Sequence, residues 1–203
     1  MLAAVLFAAT IACGAADAPI ARWRVTQVVD GVTGSVTRDS EEPWGAAEGS
    51  VPAPVEAILR HLVDFDHLPG RIPWLADTRV LQRGTDEALV YFRYDLPWPF
   101  SDRDYTARYR WTELPTGEGQ VEIVDANASG PPPDGGVRVT DVRACFTLDP
   151  VARDLTRVRY RVHMELGGLL PRRMKEDALG KLALRSLLGL RCYFSPPLAG
   201  AVR

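Results

Sequence analysis

The chain is 203 residues long and carries 24 basic against 26 acidic side chains, a formal charge of -2 with the two signs interleaved. That length suffices for one sizeable core, and the composition is not that of a disordered, collagenous or disulfide-dense chain. Without a cationic field, nucleic acid drops out as a partner class, leaving a single domain, expected to be a monomer.

Residues 1–18, MLAAVLFAATIACGAADA, form an apolar run that ends in Ala16-Asp17-Ala18. A hydrophobic stretch closed by small residues has the pattern of a secretory signal, although basic leading residues are missing. The expectation is an exported protein, periplasmic or secreted, whose domain occupies residues 20–203. Cys13 follows Thr-Ile-Ala, a weak lipoprotein box, so a lipid anchor there is the alternative. The run is too short to span a membrane, which takes ~20 apolar residues. In an oxidising compartment Cys145 and Cys192 could pair, but two buried thiols is the plainer expectation.

Trp23 to Val29 alternates and meets Asp30-Gly31, with Val32 to Arg38 beyond, which predicts an opening hairpin. Ser40 to Gly49, with one proline and two glycines, reads as loop. Val55, Ile58, Leu59 and Leu62 then recur at helical spacing after Pro54, predicting an amphipathic helix that ends near Leu68-Pro69-Gly70. Strands follow at Thr78 to Arg83, through the stretch Glu87 to Trp111, and at Gly119 to Ala128. Val137 to Leu148 and Leu155 to Leu166 read as two long strands about a turn at Asp149-Pro150. In the second, Val158, Tyr160, Val162, Met164 and Leu166 face one way, and Arg157, Arg159, Arg161, His163 and Glu165 face the other. After Gly167-Gly168, Pro171 opens a long helix whose wide apolar stripe includes Met174, Leu179, Leu182 and Leu187. Hairpin, helix, antiparallel meander and terminal helix make an α+β arrangement, a curved sheet packed on the last helix.

The Glu87 to Trp111 stretch has one peculiarity. Alternation places Arg103 on the face of Tyr105, Ala107, Tyr109 and Trp111, with Leu89, Tyr91 and Arg93 sharing a face on the strand before it. A guanidinium turned inward needs a partner, since an unpaired buried charge is too costly.

PWPFSDRDY (Pro97 to Tyr105), preceded by VYFRYDL, resembles the central signature of START domains, the lipid-transfer family related to the steroidogenic acute regulatory protein. VRACFTLDP (Val142 to Pro150), RYRVHMELGGLLPRRM (Arg159 to Met174) and DGVTGSVTR (Asp30 to Arg38) are similar to its later strands, lid helix and first hairpin, in the same order. The resemblance covers residues 22–192. It implies a helix-grip fold of the START and Bet v 1-like type, holding one lipid, sterol or similar hydrophobic molecule in a cavity gated by the C-terminal helix. It also implies transient membrane contact. Arg103 matches the family's cavity arginine by position, with Asp95 or Glu165 as its acid, and it either anchors a ligand or merely fixes the sheet. The expected lining is aromatic and aliphatic: Tyr91, Tyr105, Tyr109, Trp111 and Tyr160, then Val162, Met164 and Leu182. The wider superfamily also contains polyketide cyclases and aromatases that use the same cavity for chemistry, which keeps an enzyme as the alternative to a non-catalytic carrier.

Metal, cofactor and nucleophile chemistry have little support. His61 and His67 do not share a helical face, no G-x-S-x-G elbow is present, and His163 falls on the charged face of its strand. No cofactor and no catalytic residue is expected. Asn127-Ala128-Ser129 is a glycosylation sequon where that pathway exists.

Overall fold

The computed structural model describes residues 23–37, 41–68, 72, 74–98, 101–133, 135–168 and 170–195. The leader, Cys13, Arg38 and Pro69-Gly70 lie outside the described residues. β1 (Trp23–Val29) and β2 (Val32–Thr37) form the expected hairpin. Its two turn residues, Asp30 and Gly31, both have positive φ (48° and 75°), which matches the twist of the flanking strands.

The segment read as loop contains a strand instead, β3 (Gly45–Val51). It pairs with β2 on one side and with β10 (Leu155–Glu165) on the other. Gly45, Ala47, Gly49 and Val51 alternate inward and are buried, but they are too small to register as an apolar strand face. Their size has a purpose. A Cβ at Gly45 would overlap the carbonyl of Leu179, and one at Gly180 would come within 2.6 Å of Val36. The C-terminal helix α2 (Arg172–Phe194) therefore lies directly on the backbone of β2 and β3, with glycine at the contact on both sides.

α1 (Val55–Leu62) is shorter than expected: it stops at Val63, and a separate 3-10 turn occupies Phe65–His67. It buries Val55, Ile58 and Leu59 against β7 (Gly119–Asp125) and β9 (Thr140–Ala152). β4 (Leu75–Arg83), β5 (Glu87–Tyr94) and β6 (Arg103–Glu113) complete the meander. β7 ends at Asp125, three residues before the expected limit, where Asn127 opens a short 3-10 turn. β8 (Val137–Arg138) is set off from β9 and bridges the start of β6 in parallel. Pro150, expected in a turn, lies inside β9 beyond the last residue paired with β7, so its missing N–H disrupts no ladder there.

Among the described residues the sheet runs β1-β2-β3-β10-β9-β7-β6-β5-β4, antiparallel except for the β8 bridge. α2 covers the β2-β3-β10 end and buries Leu179, Ala183, Leu184, Leu187 and Leu190, while Met174, expected in the same stripe, is exposed in its first turn and Leu182 is half-buried. Cys192 falls on the outward side of that helix, exposed and with a free thiol, so it does not pair with Cys145 and is not buried. No described helix is long and apolar enough to cross a membrane.

Candidate functional site: an aromatic wall inside the sheet

The inner wall follows from strand register. Tyr94 lies opposite Arg103, Phe92 opposite Tyr105, Val90 opposite Ala107 and Ala88 opposite Tyr109. The face of β6 that carries Tyr105, Tyr109 and Trp111 is therefore continued on β5 by Phe92 and Tyr94. Tyr91 is a correction: it sits opposite Thr106 on the outer face, fully buried, with its hydroxyl donating to Asp104 Oδ2 at 3.1 Å and Arg79 stacked over its ring. Alternation on β5 suits either phase, because both sets are apolar. Only the pairing across residues 95–102 selects one, and a connection of that length leaves register unspecified in the sequence.

On β9 and β10 the inner face carries Phe146 stacked on Tyr160 (4.0 Å, 12°), followed by Val162 and Met164. Leu182 joins from α2, half-buried against the same cluster. Phe92 stacks on Tyr105 at 5.0 Å, and Phe65 meets Tyr109 edge-on at 4.8 Å. Of the apolar clusters among the described residues, one lies under α1 and α2 and another between β4, β5 and the 3-10 turn; Tyr105, Tyr109 and Trp111 pack against both.

These aromatics are not ordinary core. Tyr94, Tyr105 and Tyr109 are only half-buried by accessible surface. Surrounding protein nevertheless desolvates their phenols and pushes their pKa values up, those of Tyr105 and Tyr109 well above the usual value. Phenols surrounded by protein that still keep accessible surface have the character of ligand-site lining. The charge that each phenol would bear on ionising is felt by the others: Tyr105 senses Tyr94, Tyr109 and Tyr160, and Tyr160 senses Tyr94. The four hydroxyls thus gather on one interior region.

Arg103 stands at one end of that wall, half-buried, and neither expected acid reaches it. Asp95 pairs with Arg93 (3.7 Å) and Glu165 with Lys175 (2.6 Å). Arg103 instead donates through Nε to the carbonyl of Leu166 (2.9 Å), and through Nη1 to the carbonyls of Ser101 and Asp102. It clasps the start of β6 to the link between β10 and α2. The buried ion pair belongs to its neighbour: Asp104 points to the outer face and takes Arg138 of β8 in two contacts, 2.8 and 3.1 Å. Arg103→Leu is accordingly expected to leave the sheet intact, lower stability by about 1–3 kcal/mol through lost charge-assisted bonds, and speed ligand exchange by freeing the link to α2. A variant that is globally unfolded by circular dichroism overturns that expectation.

His163 does lie on the outer face, yet it is fully buried there under the Pro43-Trp44 segment, with Nδ1 2.8 Å from the Pro43 carbonyl and Nε2 3.1 Å from Asp141. Among the described residues no cluster of histidine, cysteine and carboxylate side chains is arranged to hold a metal.

Residues 51–190 match the family model described as polyketide cyclase/dehydrase and lipid transport. The chain belongs to that family. A curated relative, an uncharacterized protein of Pseudomonas aeruginosa, is 25% identical over 174 residues, covering 83% of this chain and 85% of its own. Among solved structures, a STAR-related lipid transfer protein fragment from Xanthomonas axonopodis superposes with a TM-score of 0.77 at 22% identity, covering 85% of this chain and 98% of the other. The lipid transfer and protein localization domain of human StarD13 gives 0.74 at 18%, covering 87% and 91%. The Zhui aromatase/cyclase from Streptomyces gives 0.56 at 13%, covering 78% and 98%. The fold is the one seen in the STAR-related lipid transfer structures, a curved antiparallel sheet that grips the C-terminal helix.

Proposed function

We propose that this family member is a non-catalytic carrier that holds one lipid, sterol or similar hydrophobic molecule against the inner wall and exchanges it at a membrane. The observation that carries this reading is the set of enclosed yet accessible tyrosines, Tyr94, Tyr105 and Tyr109, bordered by Phe92, Trp111 and Met164. Apolar surface kept from water there is worth ~25 cal/mol per Å², which replaces the shelter that the bilayer gave and lets the molecule be carried through water once its polar atoms are matched.

The cyclase-like alternative keeps its place through the family and the fold of the aromatase/cyclase. Acid-base chemistry needs groups that exchange protons near neutral pH. The polar groups of this wall are phenols that burial holds in the protonated form, which supports binding over turnover.

Membrane contact is supported at the end of the sheet where Arg103 lies. Trp98 in the turn between β5 and β6 is 93% exposed, and Trp74 and Met174 are about half exposed. The backbone ties two of these segments together, since Asp95 N donates to the Trp74 carbonyl at 2.9 Å. Exposed Arg172 and Arg173 open α2 nearby. Indole rings beside cations suit a headgroup interface. The apolar leader supports export, with α2 serving as the gate of a monomeric carrier.

Native mass spectrometry of the full chain purified from its source, followed by transfer of the extracted compound to vesicles, tests the proposal. One unmodified hydrophobic molecule per chain, delivered to vesicles, is the expected result. Recovery of a chemically altered product from added compound overturns the non-catalytic reading, and a chain that takes up no hydrophobic molecule overturns the carrier.

A further inference from the structure

The carrier reading leaves the class of ligand open, and the inner wall narrows it. Tyr94 and Tyr105 rings lie nearly parallel, 13° apart with centroids 6.2 Å apart, with Phe92 at 26° to Tyr105. Phe146 and Tyr160 stack at 12° on the β9-β10 side. Flat faces thus recur on both sides of the wall, a shape that accepts ring systems more readily than kinked acyl chains. Among the described residues, the hydroxyls of Tyr94, Tyr105, Tyr109 and Tyr160 make no hydrogen bond within 3.5 Å to any group outside their own cluster. Tyr94 and Tyr105 hydrogen-bond to each other, so one donor of that pair and those of Tyr109 and Tyr160 are left for whatever fills the space.

The two cations nearest the wall, Arg103 and Lys175, already have partners. Arg103 holds three backbone carbonyls and Lys175 holds Glu165. A phosphate or carboxylate headgroup would meet Arg103 only at its Nη2 edge, whereas a carbonyl or hydroxyl oxygen would find several neutral donors waiting. A pure hydrocarbon would dry the phenols without pairing them, which weakens binding for each group left unmatched.

Resting on the carrier reading, we infer that the ligand is a neutral, flat, ring-bearing molecule whose oxygen atoms accept hydrogen bonds from Tyr105, Tyr109 and Tyr160, and that phospholipids and fatty acids are not its natural cargo. The three phenols are then the residues that set specificity, while Phe92, Phe146 and Trp111 supply the stacking surface.

The test uses two probes of equal ring size, anthraquinone and anthracene, with dioleoylphosphatidylcholine and oleate as acyl competitors, each added to the delipidated full chain. After correction for partition between water and hexadecane, anthraquinone is expected to bind at least about tenfold more tightly than anthracene, the ratio for one to two neutral hydrogen bonds. The Tyr105→Phe/Tyr109→Phe/Tyr160→Phe variant is expected to lose that ratio and to keep its affinity for anthracene. Equal corrected affinities in the wild type, or an undiminished ratio in the triple variant, overturn the inference, and the first comparison needs no variant to fold. Tight binding of the phospholipid or oleate with no uptake of anthraquinone also overturns the ligand class while leaving the carrier intact. Failure of every probe to bind counts against the carrier itself.

Discussion

Replacing Asp104 by alanine is expected to lower the unfolding free energy by about 3–5 kcal/mol, the usual consequence of breaking a buried ion pair from one side. Asp104 is 3% exposed, and its carboxylate accepts Arg138 Nε at 2.8 Å, Arg138 Nη2 at 3.1 Å and the Tyr91 hydroxyl at 3.1 Å. Removing it strands a guanidinium that has little access to water and leaves a buried hydroxyl without an acceptor. The loss reaches further than one contact, because Arg138 also donates to the Pro131 carbonyl (2.9 Å) and to Asn127 Oδ1 (3.3 Å). Asn127 in turn accepts from Thr106 N and donates to the Val139 carbonyl, both at 2.8 Å. This network fastens β5, β6, β8 and the 127–131 turn where β7 has already left the sheet. For a domain of this size the melting temperature should fall on the order of 10 °C. A double-mutant cycle with Arg138→Met should show strong coupling, the second change recovering much of the first by removing the orphaned cation. A shift of under about 2 °C for Asp104→Ala, within what an exposed pair would give, would rule out this role.

That pair also marks the limit of what the sequence reveals. Neighbouring residues of opposite charge, Arg103 and Asp104, announce that one face of β6 must accommodate a buried charge. They do not say which member finds a charged partner. The partner of Asp104 comes from β8, a two-residue bridge after a Pro- and Gly-rich turn that has no periodicity to read. Arg103 satisfies its donors on backbone carbonyls, and carbonyls carry no sequence signature. The inward orientation of Tyr105, Tyr109 and Trp111 was legible because their alternation with Asp104, Thr106, Arg108 and Arg110 contrasts apolar with polar. The neighbouring β5 offers no such contrast, so alternation alone admits Tyr91 to the wall that Phe92 and Tyr94 build. α2 was legible for the same reason as β6, through a stripe of leucines wide enough to specify a sheet as its partner.

Gly45→Ala is expected to be nearly as damaging as the loss of Asp104 and to act on function as well. An added Cβ would overlap the Leu179 carbonyl and reach 3.0 Å from Gly180 N, and both are backbone atoms of α2 that no rotamer change can move. Gly180 itself is pinned, since Val36 lies 2.6 Å from where its own Cβ would be. One methyl must therefore shift the whole helix or bow β3 away from β2 and β10, an overpacking cost of about 3 kcal/mol or somewhat more. Gly34→Ala is the matched control on the adjacent strand. The nearest atoms to its Cβ would be those of the Leu184 side chain at 3.4–3.5 Å, ordinary contact, so stability should change by less than about 1 kcal/mol. Because α2 also presents Leu182 to the interior, its displacement should loosen retention of a bound molecule even under conditions where the fold survives. Thermal denaturation of the two variants, with dissociation of prebound anthraquinone followed on the folded fraction, separates the effects. Equal melting temperatures for Gly45→Ala and Gly34→Ala would show that the contact between α2 and β3 yields without cost and that the small residues of β3 are not there to admit the helix.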